Sequence, residues 1–280
     1  APEATPELRQ QIEESFLRPF CEDVFVQEEY RIDWNNVYHW QLVLLQAGAT
    51  LEDRRLIDFA IGLGQYSPEA RPQHRSLRYL ARHHFRPDGA YYELCSGYHL
   101  YAVTPFLRAL VAAHNLSVQE PERFPPADYD LLAEDNPVGD TAGRAVRWYL
   151  ALALPDLTMS QLGDSMSWRD SMAMYDPCAE IAYRYLGARE VAWYPEMQRR
   201  GLSGLIYGAD EIVPERPQYR STYLSSGYVA LRRVVNGDCV YAGINALEPG
   251  GGHQHADRLC LTTYALDRLL GSDKANPYNS

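Results

Sequence analysis

The chain has 280 residues, 46% of them hydrophobic and 12% aromatic, with a formal net charge of −11. That composition supports a substantial core in one large or two smaller domains, and the acidic balance argues against nucleic acid or an anionic membrane as partner. No stretch is apolar over the ~20 residues that a membrane-crossing helix needs.

The first two thirds read as helices. Thr5-Pro6 pairs an N-cap with proline at the first helical position, and apolar residues recur at helical spacing to Phe20. Asn35 or Asn36 is placed to cap a helix over 37–47 that Gly48 stops. Further helices are expected over 51–66, 71–84 and 99–114, the last interrupted by Pro105. A polar, proline-rich stretch over 117–140 follows, and helical periodicity returns over 142–154, 168–186 and 189–200. Helices of ~12–16 residues with short links form antiparallel pairs. Near Glu211 the texture changes to short segments rich in Val, Tyr and Thr, at 219–224, 227–235, 239–245 and 258–266. Asn236-Gly237 between two of them is a hairpin signal. The expectation is helical hairpins running into an antiparallel sheet of four strands that continues beyond Ser280.

Cys21, Cys95, Cys178, Cys239 and Cys260 are scattered and odd in number, without a CxxC pair. They read as buried small hydrophobes, not as a disulfide framework or a zinc-thiolate site. No signal peptide is visible and the chain does not begin with Met; a removed leader or a trimmed chain would each account for that. Lys274 is the only lysine. Arginine suits bidentate carboxylate recognition, although compositional bias is the simpler account.

Three clusters carry chemistry. Gly250-Gly251-Gly252 precedes His253, His255 and Asp257, which share one face if the segment is an extended strand. Three titratable groups behind a bare backbone suggest a metal or catalytic site, the alternative being the polar face of a solvated strand. Asp88-Gly89 opens a second cluster with Glu93, Tyr98 and His99 at the mouth of a helix, whose N-terminus favours anions; aromatic capping of a helical hairpin is the equal alternative. In the third, Asn35, Asn36, His39 and Trp40 sit at a loop-to-helix junction. Asparagine donates hydrogen bonds to carboxylates and tryptophan offers a face to a sugar, while a plain N-cap with a core Trp explains the same residues.

Taken in order, Asn35-Asn36 with Trp40, Asp88-Gly89 with Glu93 and Tyr98-His99, and Gly251-Gly252-His253-x-His255-x-Asp257-x-Leu259 resemble the heparinase II/III-like polysaccharide lyases, which include oligoalginate lyases. The resemblance runs from about Asn35 to Ser280. Its most specific part is the His-x-His-x-Asp segment with Leu269-Leu270 and Asp273 downstream. It implies an α+β multidomain chain: an incomplete (α/α) toroid of helical hairpins over 1–208, carrying the catalytic groups, then the start of an antiparallel β-sandwich over 209–280. The active site would lie in the cleft between them. Asn36 matches the Asn that neutralises the uronate carboxylate, Tyr98 the catalytic Tyr, and His253 a histidine pointing into the cleft. Asn35, His39, Trp40, Glu93, His99 and Trp168 are expected to contact substrate. His255 and Asp273 match ligands of a structural zinc whose remaining ligands would lie beyond Ser280; no organic cofactor is implied. Many members carry His directly after the second Asn, and here that position is Val37.

The partner implied is an anionic polysaccharide or oligosaccharide, alginate-like or a glycosaminoglycan, with no nucleic acid and no membrane. The setting implied is periplasmic or secreted; five unpaired cysteines favour the cytoplasm as the alternative. Cleavage would be a β-elimination, with Asn36 and His253 offsetting carboxylate charge and Tyr98 moving the proton. Rival readings are a uronyl C5-epimerase on the same scaffold, a toroid glycoside hydrolase using Asp88 and Glu93, and a glycan-binding protein without activity.

Overall fold

The computed structural model describes residues 5–30, 35–64, 75–165, 176–215, 220–248, 252–255 and 258–272. Thr5 opens α1 (Pro6–Ile12) by accepting a hydrogen bond from the Leu8 amide, with Pro6 at the first position. A π-helical turn over Glu13–Leu17 leads into α2 (Arg18–Tyr30). Next come α3 (Val37–Thr50), α4 (Arg54–Ile61) and α5 (Leu77–His83), the last two capped by the side chains of Asp53 and Ser76.

The longest helix, α6 (Ser96–Gln119), runs through Pro105, where the sequence suggests an interruption. A proline inside a helix costs about 3 kcal/mol in isolation. Here Pro105 and its neighbours Ala102, Val103, Phe106 and Leu107 are buried, and the helix packs against α3 and, further along the chain, α8 and α9, so tertiary burial outweighs the local penalty. The stretch expected to be irregular holds the short α7 (Pro126–Tyr129) and the start of α8 (Pro137–Ala151), whose cap is Asn136. After α9 (Asp176–Leu186) come a 3-10 turn over Arg189–Trp193, α10 (Pro195–Arg199) and α11 (Leu202–Tyr207), in place of the single helix expected over 189–200.

Strands begin at Thr222, past the change of texture near Glu211. They are β1 (Thr222–Leu224), β2 (Tyr228–Val235), β3 (Asp238–Asn245), β4 (Cys260–Ala265) and β5 (Arg268–Gly271), antiparallel and in sequential order. The Asn236-Gly237 turn joins β2 to β3 as expected, with both residues at positive φ. The fifth strand follows a turn of the same kind made by Leu266 and Asp267, at φ 53° and 54°. Neither is glycine or asparagine, so the sequence carries no signal for it.

One buried apolar cluster joins helices and sheet, from Cys21 to Tyr264. The sheet docks through specific polar contacts. Ser160 Oγ meets Tyr228 Oη at 2.6 Å, and Tyr228 Oη meets Tyr241 Oη at 2.7 Å. Arg232 Nη2 donates to the carbonyls of Ala151 and Ala153, at 2.7 and 2.8 Å. Trp148 Nε1 donates to Ser226 Oγ at 3.1 Å, and the Ser226 amide donates to Asp88 Oδ2 at 2.7 Å. Cys21, Cys95 and Cys178 are buried.

Asp88 sits at the tip of a hairpin closed by the Phe85–Tyr91 bridge. Gly89, at φ +94°, completes that tip, and a Cβ there would collide with the backbone of Arg144 on α8. Gly89→Ala therefore combines backbone strain with a backbone clash. It is expected to lower unfolding free energy by about 3 kcal/mol in urea titrations; a loss below about 1 kcal/mol would show that the hairpin moves aside freely.

Candidate active site

Three segments far apart in sequence meet at the first turn of α6. Cys95, which precedes it, makes no capping bond with its side chain. The cap comes instead from Ser165. Its Oγ accepts from the Gly97 amide at 3.1 Å and donates to the Leu162 carbonyl at 2.8 Å. Ser96 Oγ lies 2.5 Å from Ser165 Oγ and accepts from the Leu162 amide at 3.2 Å. Each hydroxyl has one proton, so the directions are fixed: Ser96 donates to Ser165, and Ser165 donates to Leu162. The Ser96 amide adds a bond to the Leu162 carbonyl at 3.2 Å.

Tyr98 lies in that first turn. Its ring stacks on His253 with centroids 3.5 Å apart and planes 8° from parallel. The histidine segment belongs to no strand. Gly252 and His253 form a turn and residues 254–255 are irregular, between β3 and β4. The alternation expected of a strand does not apply, and Asp257 lies outside the described residues. What places the histidines is Asp164. Its Oδ2 lies 3.1 Å from His253 Nδ1, its Oδ1 lies 2.7 Å from His255 Nε2, and its amide donates to the His253 carbonyl at 2.9 Å. Gly163, at φ +64°, passes so close to that carbonyl that a Cβ would run into it. Burial would raise the Asp164 pKa, but the hydrogen bonds and charges of His255 and His253 outweigh it and hold the carboxyl below its ordinary range.

Glu93 is buried beside this pair. Burial raises its pKa, against the opposing charge of His253 and hydrogen bonds from Asn35 and Tyr92. Asn35 Nδ2 reaches Glu93 Oε2 at 3.5 Å and Tyr92 Oη donates to Oε1 at 3.4 Å. Asn36 joins from the other side: its Oδ1 accepts from Tyr101 Oη at 2.6 Å, and the Tyr101 ring lies edge-on to Tyr98 with centroids 6.1 Å apart. His39 packs against the Tyr101 ring, with centroids 4.6 Å apart. Its pKa is lowered by burial first and by the charge of Arg108 second. Trp40 is partly buried against the core.

Asn36, Tyr98 and His253 are thus linked by direct contacts through Tyr101, with Asn35, His39 and Glu93 around them. His99 is different. It is fully buried, its Nδ1 accepts from the Tyr91 amide at 3.2 Å, and its Nε2 donates to the Ala145 carbonyl at 2.9 Å. With both nitrogens held by main chain the ring has nothing to offer a ligand, and the expected substrate contact is replaced by a structural role. Asp88 is likewise occupied, accepting from the amides of Ala90 and Ser226. Trp168 and Asp273 lie outside the described residues. Among those described, no group of three or more His, Cys, Asp or Glu side chains has the geometry to hold a metal ion. Sequence reasoning passes over Asp164, Ser165 and Tyr101. The local sign of the first two is a Gly-Asp-Ser run at 163–165.

No family model matches the chain, and no curated protein matches it. Solved structures do. The heparan sulfate lyase HepC from Pedobacter heparinus is 17% identical, with a TM-score of 0.64 over 98% of this chain and 37% of that one. One heparinase III structure is 18% identical with a TM-score of 0.65 over 98% of this chain, and a second is 14% identical with a TM-score of 0.66 over 93% of it. The chain spans a little over a third of the length of these structures, 37% and 38% of the two heparinase III chains. It has the fold of the corresponding part of them.

Burial holds the His99 ring neutral, with its pKa pushed down to about 4. The unfolded chain takes up a proton near pH ~6.5 that the folded chain refuses until near pH 4. Its stabilising contribution is complete above pH ~6.5 and declines as the pH falls toward 4, by up to about 1.4 kcal/mol per pH unit. Ring NMR signals of His99 are expected to stay unchanged from pH 8 down to about 5; titration near its ordinary value would contradict the buried, doubly bonded ring.

Proposed function

We propose that this chain is the catalytic part of a polysaccharide lyase that cleaves uronate-containing glycans by β-elimination. The helices over 1–208 are read as an incomplete (α/α) toroid, and residues 209–280 as the start of an antiparallel β-sandwich. The observation that carries the reading is the stack of Tyr98 on His253, with Asn36 held one helical turn away by Tyr101. A fold shared with heparan sulfate lyase and heparinase III structures supports it at the level of reaction class.

In the reaction the C5–H bond beside a uronate carboxylate breaks, its electron pair becomes the C4=C5 double bond, and the C4–O4 bond breaks as O4 takes up a proton. Charge builds on the carboxylate as C5 loses its proton, so donors aimed at that carboxylate lower the barrier. Asn36 Nδ2 and the His253 ring are assigned that task. Tyr98 is assigned the proton, taken from C5 and returned to O4 when both lie on one face of the sugar. Val37 stands where many relatives place a second base, which favours this one-residue, same-face route. The chemistry uses no metal; a zinc at His255 and Asp273 is a separate proposal about stability. A hydrolase using Asp88 and Glu93 loses support, because the Asp88 carboxylate is bonded to two main-chain amides.

The test is a panel of heparan sulfate, other glycosaminoglycans and alginate, read by the ultraviolet absorbance of the unsaturated product. Tyr98→Phe should reduce turnover ~10²–10⁴-fold with unchanged unfolding behaviour. Turnover within a few-fold of wild type would remove Tyr98 from the proton transfer, and cleavage without the absorbance would indicate hydrolysis.

A further inference from the structure

An asparagine directly before a helix ordinarily folds its side chain back to cap the first amides. Asn36 precedes α3 and does not: its backbone is already helical, at φ −65° and ψ −18°, and it makes no capping bond with its side chain. Its carboxamide is committed elsewhere. Oδ1 accepts from Tyr101 Oη, 65 residues further on, at 2.6 Å. An amide has unlike ends, an acceptor oxygen and a nitrogen with two donor hydrogens. Tying the oxygen leaves the nitrogen end, with its two donor hydrogens, for a ligand.

Tyr101 is itself well fixed. It stands three residues after Tyr98 on α6, hence on the same face. Its ring contacts those of Tyr98 and His39. It is nevertheless 39% exposed, so its hydroxyl lies at the surface of the site and not in the core. Burial raises its pKa, which keeps the hydroxyl a donor at neutral pH.

We propose that Tyr101 is the positioning residue for Asn36: its hydroxyl holds the acceptor end of the amide, so that both N–H donors are presented to the carboxylate of a uronate ligand. The role rests on the lyase reading above. It assigns to Tyr101 a function through Asn36, distinct from the proton transfer given to Tyr98.

A double-mutant cycle on the intact protein tests it, with kcat and KM measured on a uronate polymer that the wild type cleaves. Tyr101→Phe keeps the ring contacts and removes only the hydroxyl. It should lower kcat/KM about 10-fold, mostly in kcat, because the amide matters most as charge builds on the carboxylate. Asn36→Ala should lower it about 100-fold, and the double variant should be no worse than Asn36→Ala alone. The Asn36 side-chain amide NMR signals should shift in Tyr101→Phe with little change in Tm. Losses that multiply in the double variant, unchanged amide signals, or normal turnover in Tyr101→Phe would overturn the positioning role while leaving the lyase reading intact. A wild-type protein that releases no unsaturated product from any polymer would overturn the lyase reading, and the role of Tyr101 with it.

Discussion

The hydroxyl of Ser165 fixes the first turn of α6, and the geometry of the site follows from that one contact. A helix start needs acceptors for its free amides, and here the acceptor comes from a loop nearly seventy residues away in sequence. The same four-residue stretch, Leu162 to Ser165, carries Asp164 and therefore the two histidines. Tyr98 and His253 are brought face to face because one short piece of chain holds the supports of both.

Burial then determines the electrostatics. Glu93 is shifted toward its neutral form by desolvation, although His253 and two hydrogen bonds oppose this. His39 and His99 are shifted the same way, toward neutrality. Asp164 goes the other way, since two imidazoles favour its charged form over the desolvation that opposes it. The result is a site where negative charge is either suppressed or closely paired, inside a chain with a net charge of −11. An anionic ligand would otherwise meet repulsion from its surroundings.

The sequence is most readable where the physics is local. The cap at Thr5 is ordinary short-range chemistry, and the Asn-Gly turn between β2 and β3 follows from backbone sterics alone. Reading failed where tertiary packing overrode local preference, as at Pro105 inside α6, and where a turn lacked its usual residues, as at Leu266-Asp267. Of the residues to which the resemblance points, Asn36, Tyr98 and His253 are linked by contacts that run through Tyr101. A shared face for His253 and His255 would require a regular strand, and the segment is a turn followed by irregular chain. Asp164, Ser165 and Tyr101 were given no role because each bonds to a partner more than sixty residues away in sequence.

The way His253 is held separates its location from its ring. Its carbonyl accepts from the Asp164 amide and rests over Gly163, and neither contact involves the imidazole. The ring fills a slot with Tyr98 along one face and the Asp164 carboxylate at one edge. Both walls belong to other parts of the chain. A slot whose shape and polarity are set independently of its occupant is a receptor for that occupant. Truncating His253 would thus leave a small-molecule site suited to free imidazole, and the side chain becomes an exchangeable insert in a fixed mount.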